Sequence, residues 1–302
     1  MISGVGGTRF TRSAVACLNP TAMPDHLHVT NDVLVLEAGR TQKHYWTDVL
    51  RYRELFAILA RRDVAVRYKQ TAIGILWAVL RPVATMLVFT FVFGRVANLP
   101  SEGVPYSVLV FSGMLPWFFF ASSVGESSNS LIANANLLSK VYFPRILVPA
   151  SAVLVAAVDF LIAMSLLIFL MLYFGVMPSW RLLALPFFLL VAFSAALGIG
   201  LWFAALNVRY RDFQFIVPFA LQFGLYVSPV GFVSTVIPEK WALLYGLNPM
   251  VGVIDGFRWA ILGEKFPVRL DVQALSVLLS VILLCTGIAF FRRFERDIAD
   301  VI

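Results

Sequence analysis

The 302 residues are 60% hydrophobic and only 14% charged, with a mean hydropathy of +0.84; a soluble domain of this length could not keep that much apolar surface from water, so a polytopic membrane protein is expected. The net charge of +7 says little until the charges are placed along the chain, and nucleic acid is not expected as a partner. Cys17 and Cys285 lie far apart with no CxxC or Cys/His spacing, which argues against a disulfide framework and a metal site.

Residues 1–50 show no periodic apolar pattern and read as an irregular cytoplasmic arm, with a possible short strand at Val33 to Leu36. His26, His28 and His44 are the only histidines; without a carboxylate or Cys pattern around them they read as solvated arm residues rather than a metal site or switch. The arm lacks the apolar core of a signal peptide, so the first membrane helix is expected to be uncleaved. Over 51–70, "RYRELFAILARRDVAVRYK" places Tyr52, Leu55, Phe56, Leu59 and Val66 in one helical sector and Arg53, Glu54, Arg61 and Arg67 elsewhere, with Asp63 interrupting the apolar stripe. An Arg-rich amphipathic helix leading into an apolar run suits the membrane interface, the alternative being a solvated helix packed on its own protein.

Six spans are expected at 73–97, 106–128, 149–174, 182–206, 213–232 and 270–291, each judged against the roughly 20 apolar residues a bilayer core requires. Residues 296–302 form a tail. With six spans both termini share a side, and that side holds 17 of the 24 Lys and Arg, so it is cytoplasmic by the positive-inside rule. Between spans five and six, "SPVGFVSTVIPEKWALLYGLNPMVGVIDGFRWAILG" is apolar but broken by Pro229, Pro238 and Pro249. Asn248 and Pro249 form an N-cap and N1 pair, and Gly263 is a stop. Two short helices re-entering from the outer face are expected here, or else a folded cap above the membrane.

Arg81, Glu126 and Asp159 fall inside spans, where an ionisable group is a site hypothesis by default. Arg81 and Asp159 lie at similar depths, roughly 12–15 Å from the cytoplasmic edge at 1.5 Å per residue, so they can pair; Glu126 is the competing partner. These groups either line a path for a polar solute or form a structural ion pair. The run "GMLPWFFFASS" offers Trp117 and Phe119 as aromatic surfaces for sugar rings, although consecutive residues point around the whole helix and packing is the plainer role.

No GxxxxGK[ST] loop occurs, and none of the five lysines follows a glycine, so nucleotide phosphates cannot be cradled in that way. GxSxG and HExxH are also missing, and no carboxylate cluster suits a glycosyltransferase. No catalytic residue is assigned.

"RDVAVRYKQTAIGILWAVLRP", "GMLPWFFFASSVGESSNSLIANANLLSKVYFPR", "LNVRYRDF" and "LNPMVGVIDGFRWAILG" resemble, in the same order and at similar separations, the membrane subunits of type-2 ABC exporters for polysaccharides. The chain looks most like permeases for lipid-linked O-antigen, with teichoic-acid and capsule exporters as close relatives. The resemblance implies an all-α integral membrane fold in the bacterial inner membrane, with 71–295 as the transmembrane domain. It implies a homodimeric channel, each copy bound by a separate ATPase subunit that holds ATP and Mg, and no cofactor in this chain. It further implies ATPase docking through Lys140, Tyr142, Phe143 and Arg145, entry of the lipid diphosphate head past Arg61, Arg62, Arg67 and Lys69, and an outer gate carrying Asp255, Arg258 and Trp259. Asp255 and Arg258, three apart, can bond to each other on one face. Rival readings are a small-molecule exporter of the same class and a gradient-driven carrier, for which Asp159 is the only good titratable candidate.

Overall fold

A computed structural model describes residues 45–69, 74–177, 179–263 and 265–301, and the side chains of all of these except 69, 74, 75, 77 and 296–301. The possible strand at 33–36, the three histidines and the rest of the arm lie outside the described residues, as does the side chain of Lys69. The chain divides into two units, 1–43 and 44–302, and every described residue belongs to the second.

That unit is all helical, with no strand among the described residues. In chain order the helices are α1 (Tyr45–Arg51), α2 (Arg53–Lys69), α3 (Gly74–Phe89), α4 (Tyr106–Ala133), α5 (Ala135–Leu138), α6 (Leu147–Tyr173), α7 (Leu185–Arg209), α8 (Phe213–Val227), α9 (Glu239–Tyr245), α10 (Pro249–Leu262) and α11 (Leu270–Val301). A π-helical stretch, Thr90–Val96, continues α3, and a 3-10 turn, Trp180–Ala184, leads into α7. Among the described residues, five helical segments are long and apolar enough to cross a membrane: Ala78–Val96, Tyr106–Ala133, Leu147–Tyr173, Trp180–Arg209 and Leu270–Glu295. The expected fifth span at 213–232 is the exception. Its helix, α8, stops at Val227 after 15 residues, or about 22 Å, against a bilayer core of about 30 Å. The physical reason is Pro229, which lacks an N–H and pushes Ser228 into the extended backbone it adopts (ψ 151°).

α4 is the axis of the bundle, buried along most of its length and packed by α6, α7 and α10. Lipid offers no hydrophobic drive for helices to associate, so close backbone approach has to supply the packing. It does so most clearly between α7 and α11: a Cβ on Gly198 would lie 2.5 Å from the Leu283 carbonyl oxygen, and one on Gly287 would overlap the Gly198 carbonyl. A second apolar cluster closes the end where α2 begins, joining Tyr45, Leu59, Leu138, Phe143, Phe291 and Phe294. α2 buries Leu59 and Ala60, while Val66, expected in the apolar sector, is half exposed. Asp63, the misfit in that stripe, is answered by Arg62, whose Nε and Nη2 donate to Oδ1 at 2.9 and 2.7 Å. At the far end Asn248 caps α10 by accepting from Met250 N–H at 3.0 Å, and Gly263, at φ +87°, ends it, as the Asn-Pro pair and the glycine predict.

Candidate functional site

Three groups of polar side chains are assembled on this bundle. The first joins α2 to the middle of the membrane helices. Arg67 places Nη2 at 2.7 Å from Asp159 on α6 and Nη1 at 3.1 Å from Glu126 on α4. Tyr68 donates its hydroxyl to Asp159. Burial, with the adjoining Asp159 carboxylate, holds the Tyr68 phenol above its ordinary pKa. Asp159 therefore pairs with Arg67 and not with Arg81, which is exposed on α3 and has no ion pair among the described residues. The correction has a geometric cause: α2 packs along α6, so its last turn delivers two donors to a depth that its place in the sequence did not suggest. Of the other cations expected at a headgroup site, Arg62 also donates to Asn134 Oδ1 at 2.6 Å, and Arg61 is exposed.

The second group lies beyond the end of α8, where residues 228–233 run without regular structure before the short 3-10 turn Ser234–Val236. Buried carbonyls there need donors. Tyr245 donates to the Val227 carbonyl at 2.8 Å, Arg258 Nη2 to Val230 at 2.8 Å and Nη1 to Phe232 at 2.6 Å, and the Tyr106 hydroxyl to Gly231. Asn248 Nδ2 donates to Ser228 Oγ at 2.8 Å, and Ser234 donates to Asp255 Oδ2 at 2.5 Å. Arg258 is fully buried, and it fits only because residue 113 is glycine: a Cβ there would stand 2.8 Å from Nη2. The Asp255–Arg258 bond that the spacing allows is not made. The carbonyls of the irregular segment take both Nη atoms, and Asp255 turns to Ser234. Trp259 is half-buried, with the Arg181 guanidinium 5.4 Å over its ring.

The third group is the turn between α5 and α6. Lys140, Val141 and Tyr142 are exposed, Tyr142 by half. Phe143 points the other way and is buried in the second cluster. Arg145 is held at its back: its N–H donates to Glu295 Oε1 at 2.8 Å and its Nη1 to the Glu295 carbonyl at 3.2 Å. Of the four residues expected on a docking surface, two are therefore displayed and two anchor the turn from within. An apolar ring next to a sequence break reads equally as surface anchor or core plug, and the core took it.

Trp117 and Phe119 are both buried in the main core. Trp117 packs 5.5 Å from Phe120, and Phe119 meets Phe160, which meets Phe257, edge to face at 5.8 and 6.1 Å. Within this chain they line no aromatic path; packing, the plainer role, is the one they have. Sequence reasoning missed Tyr68, Tyr106, Ser234, Tyr245 and Glu295. The signal for Tyr106 and Tyr245 was the Pro229 and Gly231 break itself, because irregular backbone in an apolar stretch requires nearby donors. No group of three or more His, Cys, Asp or Glu that could hold a metal occurs among the described residues.

The family model described as "ABC-2 type transporter" matches residues 54–262. The chain is 29% identical over 257 residues to the O-antigen export system permease protein RfbA of Myxococcus xanthus, covering 84% of this chain and 98% of that protein. It is 27% identical over 252 residues to an RfbA permease of Klebsiella pneumoniae, covering 82% and 95%. Against the polysialic acid transport protein KpsM of Escherichia coli the identity is 26% over 243 residues, covering 78% and 91%.

Proposed function

The chain belongs to the ABC-2 type transporter family, and from that premise we propose that it is the permease of an ATP-driven exporter moving a lipid-linked polysaccharide of the O-antigen class out of the cytoplasm. The single observation that carries this reading is the near end-to-end similarity to permeases named for O-antigen export. A capsule-type polysaccharide is the second reading, favoured by the polysialic acid relative.

In this account the chain does no covalent chemistry. A separate ATPase subunit binds ATP and Mg and docks on the exposed Lys140 to Tyr142 crest, which suits the aromatic and cationic anchors of interface hot spots. Two copies pair into a channel in the inner membrane with both termini cytoplasmic. The exposed aromatic face of α8, with Phe215, Phe219 and Phe223, supports such pairing. α8 and the segment after it make the fifth of six crossings, and α9 and α10 re-enter from the outer face. What supports this is that the carbonyls of 227, 230, 231 and 232 all find protein donors, the condition under which irregular backbone is tolerated at membrane depth.

A lipid diphosphate approaching α2 meets Arg61 first, since Arg62 and Arg67 already hold carboxylates. Arg67 can then exchange Glu126, more exposed than its other carboxylate partner Asp159, for phosphate at little cost.

Removing the chain from its host tests the function. The expected result is a cell surface lacking the glycan, with lipid-linked glycan retained at the cytoplasmic face and export restored by a plasmid copy. Unchanged surface glycan would contradict it.

A further inference from the structure

Glu295 stands near the end of α11, between the docking turn and the membrane part of that helix. It accepts the Arg145 N–H on its side chain and the Arg145 guanidinium on its backbone. The Phe143 ring, two residues earlier, is buried in the same cluster as Phe291 and Phe294 of α11. The turn is thus seated on α11 by a ring on one side of Pro144 and a charge-assisted hydrogen bond on the other.

α11 is a single helix of 32 residues with no proline. Its contact with α7 at Gly198 and Gly287 is backbone against backbone, which leaves little room for sliding. About 28 Å from Glu295, by rise per residue, Ser276 of α11 lies against α10, so close that a Cβ on Gly252 would overlap its Oγ. α10 in turn carries Arg258, which holds the Val230 and Phe232 carbonyls. Packed rigid elements of this kind are what carry coupling between distant sites.

We infer that Glu295 is a positioning residue for export, splinting the docking turn to α11 so that displacement of the turn by the ATPase passes along α11 to α10 and the irregular segment it holds. This rests on the docking reading above. The carboxylate acts as a hydrogen-bond acceptor for the Arg145 N–H, while the guanidinium reaches the Glu295 backbone oxygen.

The test uses the permease co-expressed with its ATPase, as wild type, Glu295→Ala and Glu295→Gln. Three quantities are read: ATPase co-purified per permease, glycan exported per ATP hydrolysed, and hydrogen exchange of the peptide containing 139–146. Glu295→Ala is expected to retain the ATPase within about twofold, export at least fivefold less glycan per ATP, and exchange faster in that peptide. Glu295→Gln, whose amide oxygen accepts the same bond, is expected to match wild type in all three. Wild-type coupling in Glu295→Ala, or a Gln variant as impaired as the Ala variant, would overturn the inference. If Glu295→Ala does not accumulate, Glu295→Gln decides alone: wild-type export with unchanged exchange supports the acceptor role, and lost export overturns it. An ATPase that fails to co-purify with the wild-type chain would instead refute the docking reading.

Discussion

Arg67 and Asp159, 92 positions apart in sequence, meet at 2.7 Å and pin the last turn of α2 to the middle of α6. Removing one member of a largely buried pair leaves the other uncompensated, at a cost of roughly 3–5 kcal/mol when burial is complete; the partial exposure here reduces that. Asp159→Asn is expected to lower the unfolding temperature in detergent, and Glu126→Gln, at the more exposed contact, to lower it less. A double-mutant cycle between Arg67 and Asp159 should give a coupling of about 1–3 kcal/mol, whereas Arg81 and Asp159 should show none. Coupling to Arg81 would return the pairing that depth alone permits.

Arg258 satisfies two carbonyls of the segment after α8 and is fully buried. Arg258→Met strands both acceptors, each worth about 1–3 kcal/mol when left unmade, and is expected to expose 227–236 to protease in reconstituted vesicles. Tyr106→Phe removes one donor and should show a smaller effect in the same assay. Protease resistance in Arg258→Met would contradict the role of the guanidinium.

Phe119 sits in a ladder of edge-to-face rings with Phe160 and Phe257. Phe119→Ala is expected to cost about 3–5 kcal/mol by cavity formation, read as early unfolding in a thermal melt, with glycan selectivity unchanged among molecules that remain folded. Altered selectivity at wild-type stability would restore the sugar-stacking role.

The backbone contact between Gly198 and Gly287 leaves no space for a methyl group. Gly198→Ala and Gly287→Ala should each separate α7 from α11 and reduce the amount of monodisperse protein in size-exclusion chromatography. Normal yield and melting temperature would contradict so close an approach.

The apolar lengths and the Asn248-Pro249 and Gly263 signals made five of the spans and α10 legible in the sequence, because those are local properties of the chain. α8 was read too long for a physical reason: hydropathy continues through Val230 and Phe232, while helicity ends where Pro229 constrains Ser228. The candidate sites were less legible. Tyr68 and Asp159, or Arg145 and Glu295, meet only because the bundle brings distant segments together, and no spacing rule reports that. Arg258 was recognised as important, but the nearest carboxylate in sequence was credited over the carbonyls that needed donors.

The most direct test of the account is affinity purification of the tagged chain in mild detergent from its native host, with identification of what co-purifies and assay of its ATP hydrolysis. A stoichiometric ATP-binding subunit is expected to co-purify, to be lost when Lys140 and Tyr142 are both changed to Ala, and to be retained when Arg81 is. A chain that purifies alone, in cells where export continues without ATP hydrolysis, would contradict it and favour a gradient-driven carrier.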